Sequence, residues 1–362
     1  MTRYRSYRDL DWVLLAITLA ICAIGVLQIF SATHATKWHD AWWKQIVWVV
    51  VGTGLMWIVL SVDYHTLLGQ VYLFYTVSIA SLGLVLIVGR LVFGSRRWIR
   101  IFGASLQISE FVKLVIVLLV ARYLSELRGD GIGPRDLLKL GGMVVVPVVL
   151  VMYQPDLGTA LTYLPILAIG VFLAGIQWRY LGYIALAVAL ILPAGWFVLK
   201  DYQRARLVTF LDPSLDPRGA GYQVIQSKIA VGDGGVWGQG LTRGTQTQLR
   251  FLPVPHTDFI FSAFAEEHGF VGVGVALGLY FLLLMQIVDN AQRAPDRAGM
   301  YVCMCVAALL LFHILVNVGM VVGRMPVTGI PLPLMSSGGS NMFSIFMMLG
   351  LVHNVRLRRF LR

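Results

Sequence analysis

The chain contains 362 residues, 58% hydrophobic and 13% charged, with a mean hydropathy of +0.76 and a formal net charge of +11. A soluble domain carries about 25% charged and about 45–50% apolar residues, so the composition excludes a soluble globular fold, a disordered chain, a coiled coil and a small disulfide scaffold. Cys22, Cys303 and Cys305 all lie inside apolar runs, with no counterpart in an aqueous loop to complete a disulfide or a thiolate zinc site.

Arg3, Arg5 and Arg8 lead into a long apolar stretch without an A-x-A-like cleavage site, which reads as a retained first span. Apolar segments fall near 12–30, 46–62, 71–89, 110–124, 137–153, 159–175, 180–199, 266–287, 299–322 and 340–355. Backbone donors and acceptors in hydrocarbon must be satisfied within the element, so helices are the default, and runs this continuous exclude a porin-like barrel. The tenth segment is short enough to enter from a re-entrant loop. The sequence predicts an all-α polytopic integral membrane protein with about ten transmembrane helices. They form one domain over residues 1–362, with a large extracytoplasmic loop, 200–257, between the seventh and eighth helices.

Charge placement suggests an orientation. With both termini cytoplasmic, fourteen Lys/Arg fall on each side and Lys113 lies within the fourth span. The positive-inside rule weights short loops, and setting aside 200–257 leaves fourteen inside against seven outside. Arg356, Arg358, Arg359 and Arg362 support the same choice through attraction to anionic lipid. The outer arginines then need a purpose. Arg90, Arg96, Arg97 and Arg100 cluster in GRLVFGSRRWIRIFG, and 200–257 adds Lys200, Arg204, Arg206, Arg218, Lys228, Arg243 and Arg250. A guanidinium is a planar fork suited to phosphate oxygens, so this cluster either holds a lipid-linked phosphate or makes ordinary headgroup contacts.

Ionisable groups in apolar surroundings mark candidate sites. Glu110 and Lys113, at i,i+3 near the start of an apolar helix, can pair on one face; such a pair lines a polar pathway, locks helices together, or does both. In YQPDLGTA, Asp156 sits at a turn, where it either caps the next helix or joins a polar site. FLPVPHTDFIFSAFAEEHGFVGVG places Asp258 just before an apolar aromatic run, with Glu266 and Glu267 eight and nine residues later. A carboxylate at this boundary is either a plain N-cap or a base whose pKa desolvation raises and nearby arginines lower. His256 either shares the proton work or, the reading favoured by its loop position, is a solvated histidine. Residues 317–343, NVGMVVGRMPVTGIPLPLMSSGGSNMF, combine Asn317 with three prolines and the run Ser336–Ser337–Gly338–Gly339–Ser340. Broken backbone at membrane depth requires a protein-lined or wet cavity, which makes this stretch a candidate site wall, the alternative being a simple loop before the tenth helix.

In their order these segments resemble the SEDS family (shape, elongation, division and sporulation) over nearly the whole chain. The resemblance runs through RRWI followed by QISEFVK, then QPDLGTA, GAGYQVIQSKIAVGDGGVWGQGL, GTQTQLRFLPVPHTDFIFSAFAEEHGFVG and GMVVGRMPVTGIPLPLMSSGGS. PVTGIPLPL and the short terminal extensions are more similar to the rod-shape branch than to the division branch. Two positions depart from the family pattern. Ser337 replaces an aromatic residue, and Arg324 stands where a small or branched apolar residue is usual; Arg324 either contacts lipid phosphate or snorkels.

The resemblance implies a peptidoglycan glycosyltransferase in the bacterial cytoplasmic membrane, with N- and C-termini cytoplasmic and its active site facing outward. It would polymerise lipid II into β-1,4-linked glycan strands, releasing undecaprenyl diphosphate, for cell elongation and rod shape. Asp258 matches the family's essential aspartate and would act as general base or orient the acceptor hydroxyl, a role worth about 10²–10⁴-fold. A diphosphate leaves without protonation once its charge is neutralised, and Arg97, Arg100, Lys113, Arg204 and Arg206 are the candidates for that task. Glu110, Asp156, Asn317, Ser336, Gly338 and Gly339 are assigned to site architecture. The implied partners are lipid II, the growing glycan strand, a class B penicillin-binding protein and other elongation-machinery proteins, with no nucleic acid. The chain has no SxxK, S-D-N and K-T-G set for transpeptidation. No cofactor is required from sequence, and a divalent cation on the protein or on the substrate's phosphates stays open. A lipid II flippase and another polyprenyl-diphosphate-sugar transferase are the alternative readings.

Overall fold

The structure, a computed structural model, describes residues 10–359 except 35, 37, 93–94, 102–103, 128–130, 199–200 and 216–218. Arg3, Arg5, Arg8, Lys200, Arg218 and Arg362 therefore lie outside the described residues. In chain order the elements are α1 Trp12–Thr33, α2 Ala41–Ser61, α3 Tyr64–Gly69, α4 Val71–Val88, β1 Arg90–Val92, β2 Ser95–Ile101, β3 Ala104–Leu106, α5 Ile108–Ser125, α6 Pro134–Tyr153 and α7 Leu157–Leu173. They continue with α8 Trp178–Val198, α9 Asp201–Leu211, α10 Ala220–Asp233, α11 Thr245–Gln248, α12 Ile260–Gln292, α13 Arg297–Val321 and α14 Gly339–Leu357. Each apolar segment singled out in the sequence coincides with a helix, give or take one or two residues at its end. Among the described residues, six helices, α1, α2, α4, α6, α12 and α13, are long and apolar enough to cross a membrane. The fold is that of a helical polytopic membrane protein.

Two regions depart from the sequence-based expectation. Strands β1, β2 and β3 form a small three-stranded antiparallel sheet, with Arg90 opposite Trp98 and Ile99 opposite Leu106. Val92, Trp98, Ile99 and Ile101 are β-branched or aromatic and favour a pleated surface; the strands are too short to show a period among so many arginines. The stretch 200–257, expected as a loop, carries α9, α10 and α11. Val224, Ser227 and Ala230 are buried at a spacing of three on α10, giving it a face that packs on α12.

The first and last helices meet at one end of the bundle. Asp11 caps α1 by accepting from Leu14 N (3.1 Å), and its Oδ2 accepts from Asn290 Nδ2 of α12 and Arg356 Nη1 of α14, both at 2.8 Å. The starts of α5, α7, α12 and α14 lie at the other end, around the polar residues that the sequence singles out.

Helix α12 is broken at Gly269 (φ 64°, ψ −167°), and the glycine-rich turn 234–240 mends the break. Gln239 N and Gly240 N donate to Glu266 O (3.0 Å) and Glu267 O (2.9 Å), while Phe270 N and Val271 N donate to Gly235 O (2.9 Å) and Val236 O (3.1 Å). A Cβ on Gly269 would stand 2.3 Å from Gly238 N, in a backbone region that is almost exclusive to glycine. Gly269→Ala is expected to destabilise the protein by about 1–3 kcal/mol or more. The check is thermal unfolding in detergent, where an unchanged melting temperature would contradict this stitched break.

Candidate active site

Asp258 lies one residue before Ile260's predecessor Phe259, in the turn that opens α12, and is partly buried. Helix α13 and the segment around Ser336 hold the main chain at and beside Asp258, and α2 braces that segment. Asn317 Nδ2 of α13 donates to Asp258 O (3.0 Å) and to Ile330 O (2.9 Å). Ser336 Oγ donates to Thr257 O (2.7 Å) while accepting from Leu332 N (2.9 Å), and Gln45 Nε2 of α2 donates to Ser336 O (3.1 Å). Ser337 N donates to His256 O (2.9 Å), a backbone contact that the departure at this position leaves intact. Gly329 flanks the carboxylate, since a Cβ there would sit 3.6 Å from Asp258 Oδ2.

Burial pushes the Asp258 carboxyl above the usual carboxylate range. The charges of Arg206 on α9 and Arg97 on β2 oppose that rise, Asp156 adds to it, and the net direction is upward. These four side chains therefore share one electrostatic site. Asp156 caps α7, its Oδ1 accepting from Thr159 N (3.2 Å). Its Oδ2 accepts from Gln107 Nε2 (2.6 Å) and Thr159 Oγ1 (3.0 Å), and Arg97 Nη1 stands 3.4 Å from Oδ1. Asp156 thus satisfies the helix end and tethers Arg97 at once. The start of α7 also abuts the proline-rich segment, because a Cβ on Gly158 would meet Thr328 O at 2.5 Å.

Glu110 and Lys113 on α5 are both buried, with Lys113 Nζ 2.9 Å from the Glu110 carboxylate and 3.3 Å from His313 Nε2 of α13. Around them, Ser344 Oγ of α14 donates to Glu110 O (2.6 Å) and Tyr163 Oη of α7 donates to Ser109 O (2.9 Å). Glu266 and Glu267 take different sets of partners. Glu266 accepts from Thr247 Oγ1 (2.6 Å) and Gln246 N (2.7 Å) at α11, and Glu267 accepts from Ser31 Oγ (2.5 Å) and Gln28 Nε2 (3.2 Å) of α1. Both serve to fix the 234–250 region against the bundle.

Of the remaining sequence-predicted residues, Arg204 Nη2 donates to Phe197 O (3.1 Å), and Arg100 pairs through its backbone with Ser105, its side chain lying outside the described residues. Gly338 and Gly339 begin α14, with Gly339 against the Trp48 indole. Arg324 is exposed. The expectation for His256 is corrected: it is buried against Trp38, ring centroids 5.0 Å apart, and burial lowers its pKa. The cover comes from segments remote in sequence. Gln45, Gln107 and His313 were not singled out in the sequence. Their signal was a polar side chain in or beside an apolar helix, and His313 lies one turn before Asn317 on the same face of α13. Among the described residues no group of three or more His, Cys, Asp or Glu is gathered to hold a metal ion.

The cell cycle protein family FtsW/RodA/SpoVE matches residues 11–360. The chain is 37% identical over 354 residues to the peptidoglycan glycosyltransferase MrdB of Escherichia coli, covering 97% of this chain and 94% of that one. It is 34% identical over 432 residues to the peptidoglycan glycosyltransferase RodA of Treponema pallidum, covering 99% and 100%. The fold is similar to the crystal structure of the rod shape determining protein RodA of Thermus thermophilus, with TM-score 0.73, 31% identity and coverage of 97% and 98%. It is also similar to a chain solved in work on the structural coordination of polymerization and crosslinking by a peptidoglycan synthase complex, with TM-score 0.84, 36% identity and coverage of 98% and 99%.

Proposed function

Because the chain belongs to the FtsW/RodA/SpoVE (SEDS) family of peptidoglycan glycosyltransferases, we propose that Asp258 activates the acceptor hydroxyl as the protein polymerises lipid II. The protein is a peptidoglycan glycosyltransferase of cell-wall biogenesis. In the reaction the 4-hydroxyl of the acceptor sugar attacks C1 of the donor and Asp258 takes the hydroxyl proton. The C1–oxygen bond to undecaprenyl diphosphate breaks, the electron pair leaving with the diphosphate and the configuration at C1 inverting to β. A carboxylate with a raised pKa is a better proton acceptor than an ordinary one. Arg97 and Arg206 act on the same spot and supply the positive charge that the departing diphosphate needs.

The observation that carries this reading is the Asp258 carboxylate, carried on a main chain held by Asn317 and Ser336 and lying in the field of two arginines. Charge and geometry together support one orientation. The excess of Lys/Arg on the short loops favours both termini in the cytoplasm, and the opposite end, with Asp258 and 200–257, is then on the outside. All ten apolar helices then cross the membrane. The chain lacks its own transpeptidase motifs, so a class B penicillin-binding protein is its fitting partner for crosslinking. Sealed liposomes holding the purified protein and defined lipid II test the activity. Glycan strands are the expected product, whereas lipid II crossing the bilayer with no polymer would favour a flippase. A chelation series in the same assay reads any divalent-cation requirement.

A further inference from the structure

We infer that His313 is a positioning residue that couples the buried Glu110–Lys113 pair to the backbone segment holding Asp258. His313 is 2% exposed in the middle of α13 and meets two partners from different parts of the chain. Its Nε2 lies 3.3 Å from Lys113 Nζ, and its Nδ1 lies 3.3 Å from Pro331 O. An ammonium can only donate and a carbonyl oxygen can only accept. Both contacts are hydrogen bonds only if Nε2 is the acceptor and Nδ1 carries the proton. The chemistry of the partners thus assigns a neutral imidazole in its Nδ1–H form.

This link matters because of where Pro331 lies. Three consecutive residues of the proline-rich segment are held by side chains: Ile330 O by Asn317, Pro331 O by His313, and Leu332 N by Ser336 Oγ. Asn317 also donates to Asp258 O, and Ser336 to Thr257 O. Proline-rich backbone cannot brace itself with a helical ladder, so its position depends on these side chains. A continuous series runs from Glu110 through Lys113 and His313 to Pro331, and from its neighbours to the Asp258 main chain. His313 touches no reacting group in this arrangement; it sets where one is held.

The inference rests on Asp258 being the reacting carboxylate, and its test separates the two ideas. Lipid II polymerisation is measured for native, His313→Leu and His313→Asn proteins. His313→Leu is expected to lower kcat by roughly 10- to 10²-fold, the scale of a displacement of about 1 Å at a reacting group, with KM for lipid II little changed. Asparagine presents an N–H where Nδ1–H stood, so His313→Asn should recover much of the loss. Solid-state 15N NMR of histidine-labelled native protein should show His313 neutral and protonated on Nδ1, a readout that needs no folded variant. Native kcat in folded His313→Leu, no advantage for His313→Asn, or an Nε2–H signal would overturn the coupling. Native activity in Asp258→Asn would instead sink the Asp258 reading and leave the tautomer result standing.

Discussion

Asp258→Asn is expected to lose about 10²–10⁴-fold in lipid II polymerisation while melting at or above the temperature of the native protein at neutral pH. The two effects share one cause. Burial raises the folded-state pKa of Asp258 above the value the unfolded chain would show, despite Arg206 and Arg97. A carboxyl with a raised folded pKa favours folding while protonated, and that contribution is lost as pH rises through the folded value. At neutral pH the ionised group is therefore a burden on stability that asparagine does not carry. The melting-temperature gap should close as pH falls toward the ordinary carboxylate range, where native Asp258 is also neutral. Thermal unfolding of both proteins across that range checks the sign. A variant clearly less stable than native at neutral pH would mean that the side chain is held for structure, not for reactivity.

Lys113→Met is expected to cost about 3–5 kcal/mol of stability, the usual consequence of leaving a buried charge without its partner. Lys113 is 1% exposed and its ammonium lies 2.9 Å from Glu110. Removing it strands that carboxylate among α5, α13 and α14. The double variant Glu110→Gln/Lys113→Met should recover much of the loss, because a neutral pair carries no comparable desolvation cost. Denaturant unfolding of native, single and double variants in detergent gives the comparison. A single variant as stable as native, or a double variant no better than the single, would contradict a tightly coupled pair.

The helices were legible because hydrocarbon leaves the backbone few alternatives, and each apolar run, from Trp12 to Leu357, became one. Asp258, Asp156, Asn317 and Ser336 were legible as polar groups where apolar pattern or helical backbone breaks off, and the fold brings them to one end of the bundle. What stayed hidden depends on contacts between distant residues. Spacing alone cannot show that Lys113 reaches His313, that Gln107 reaches Asp156, or that Trp38 covers His256. Gly269 looks like any small residue in an apolar helix until the 234–240 turn is seen to fill its break. The arginines between Arg90 and Arg100 concealed a sheet, since their charge obscures the short β pattern beneath.

The central claim is that Asp258 works as a base whose pKa is set by burial against Arg97 and Arg206. The pH dependence of kcat/KM for lipid II polymerisation tests it most directly, because the acid limb reports the free enzyme's essential base. For the native protein that limb should have its midpoint above the ordinary carboxylate value of about 3.9. In Arg206→Gln it should move to higher pH, since a charge that favours the ionised form is gone. A limb that stays in place or moves to lower pH in Arg206→Gln would contradict the account.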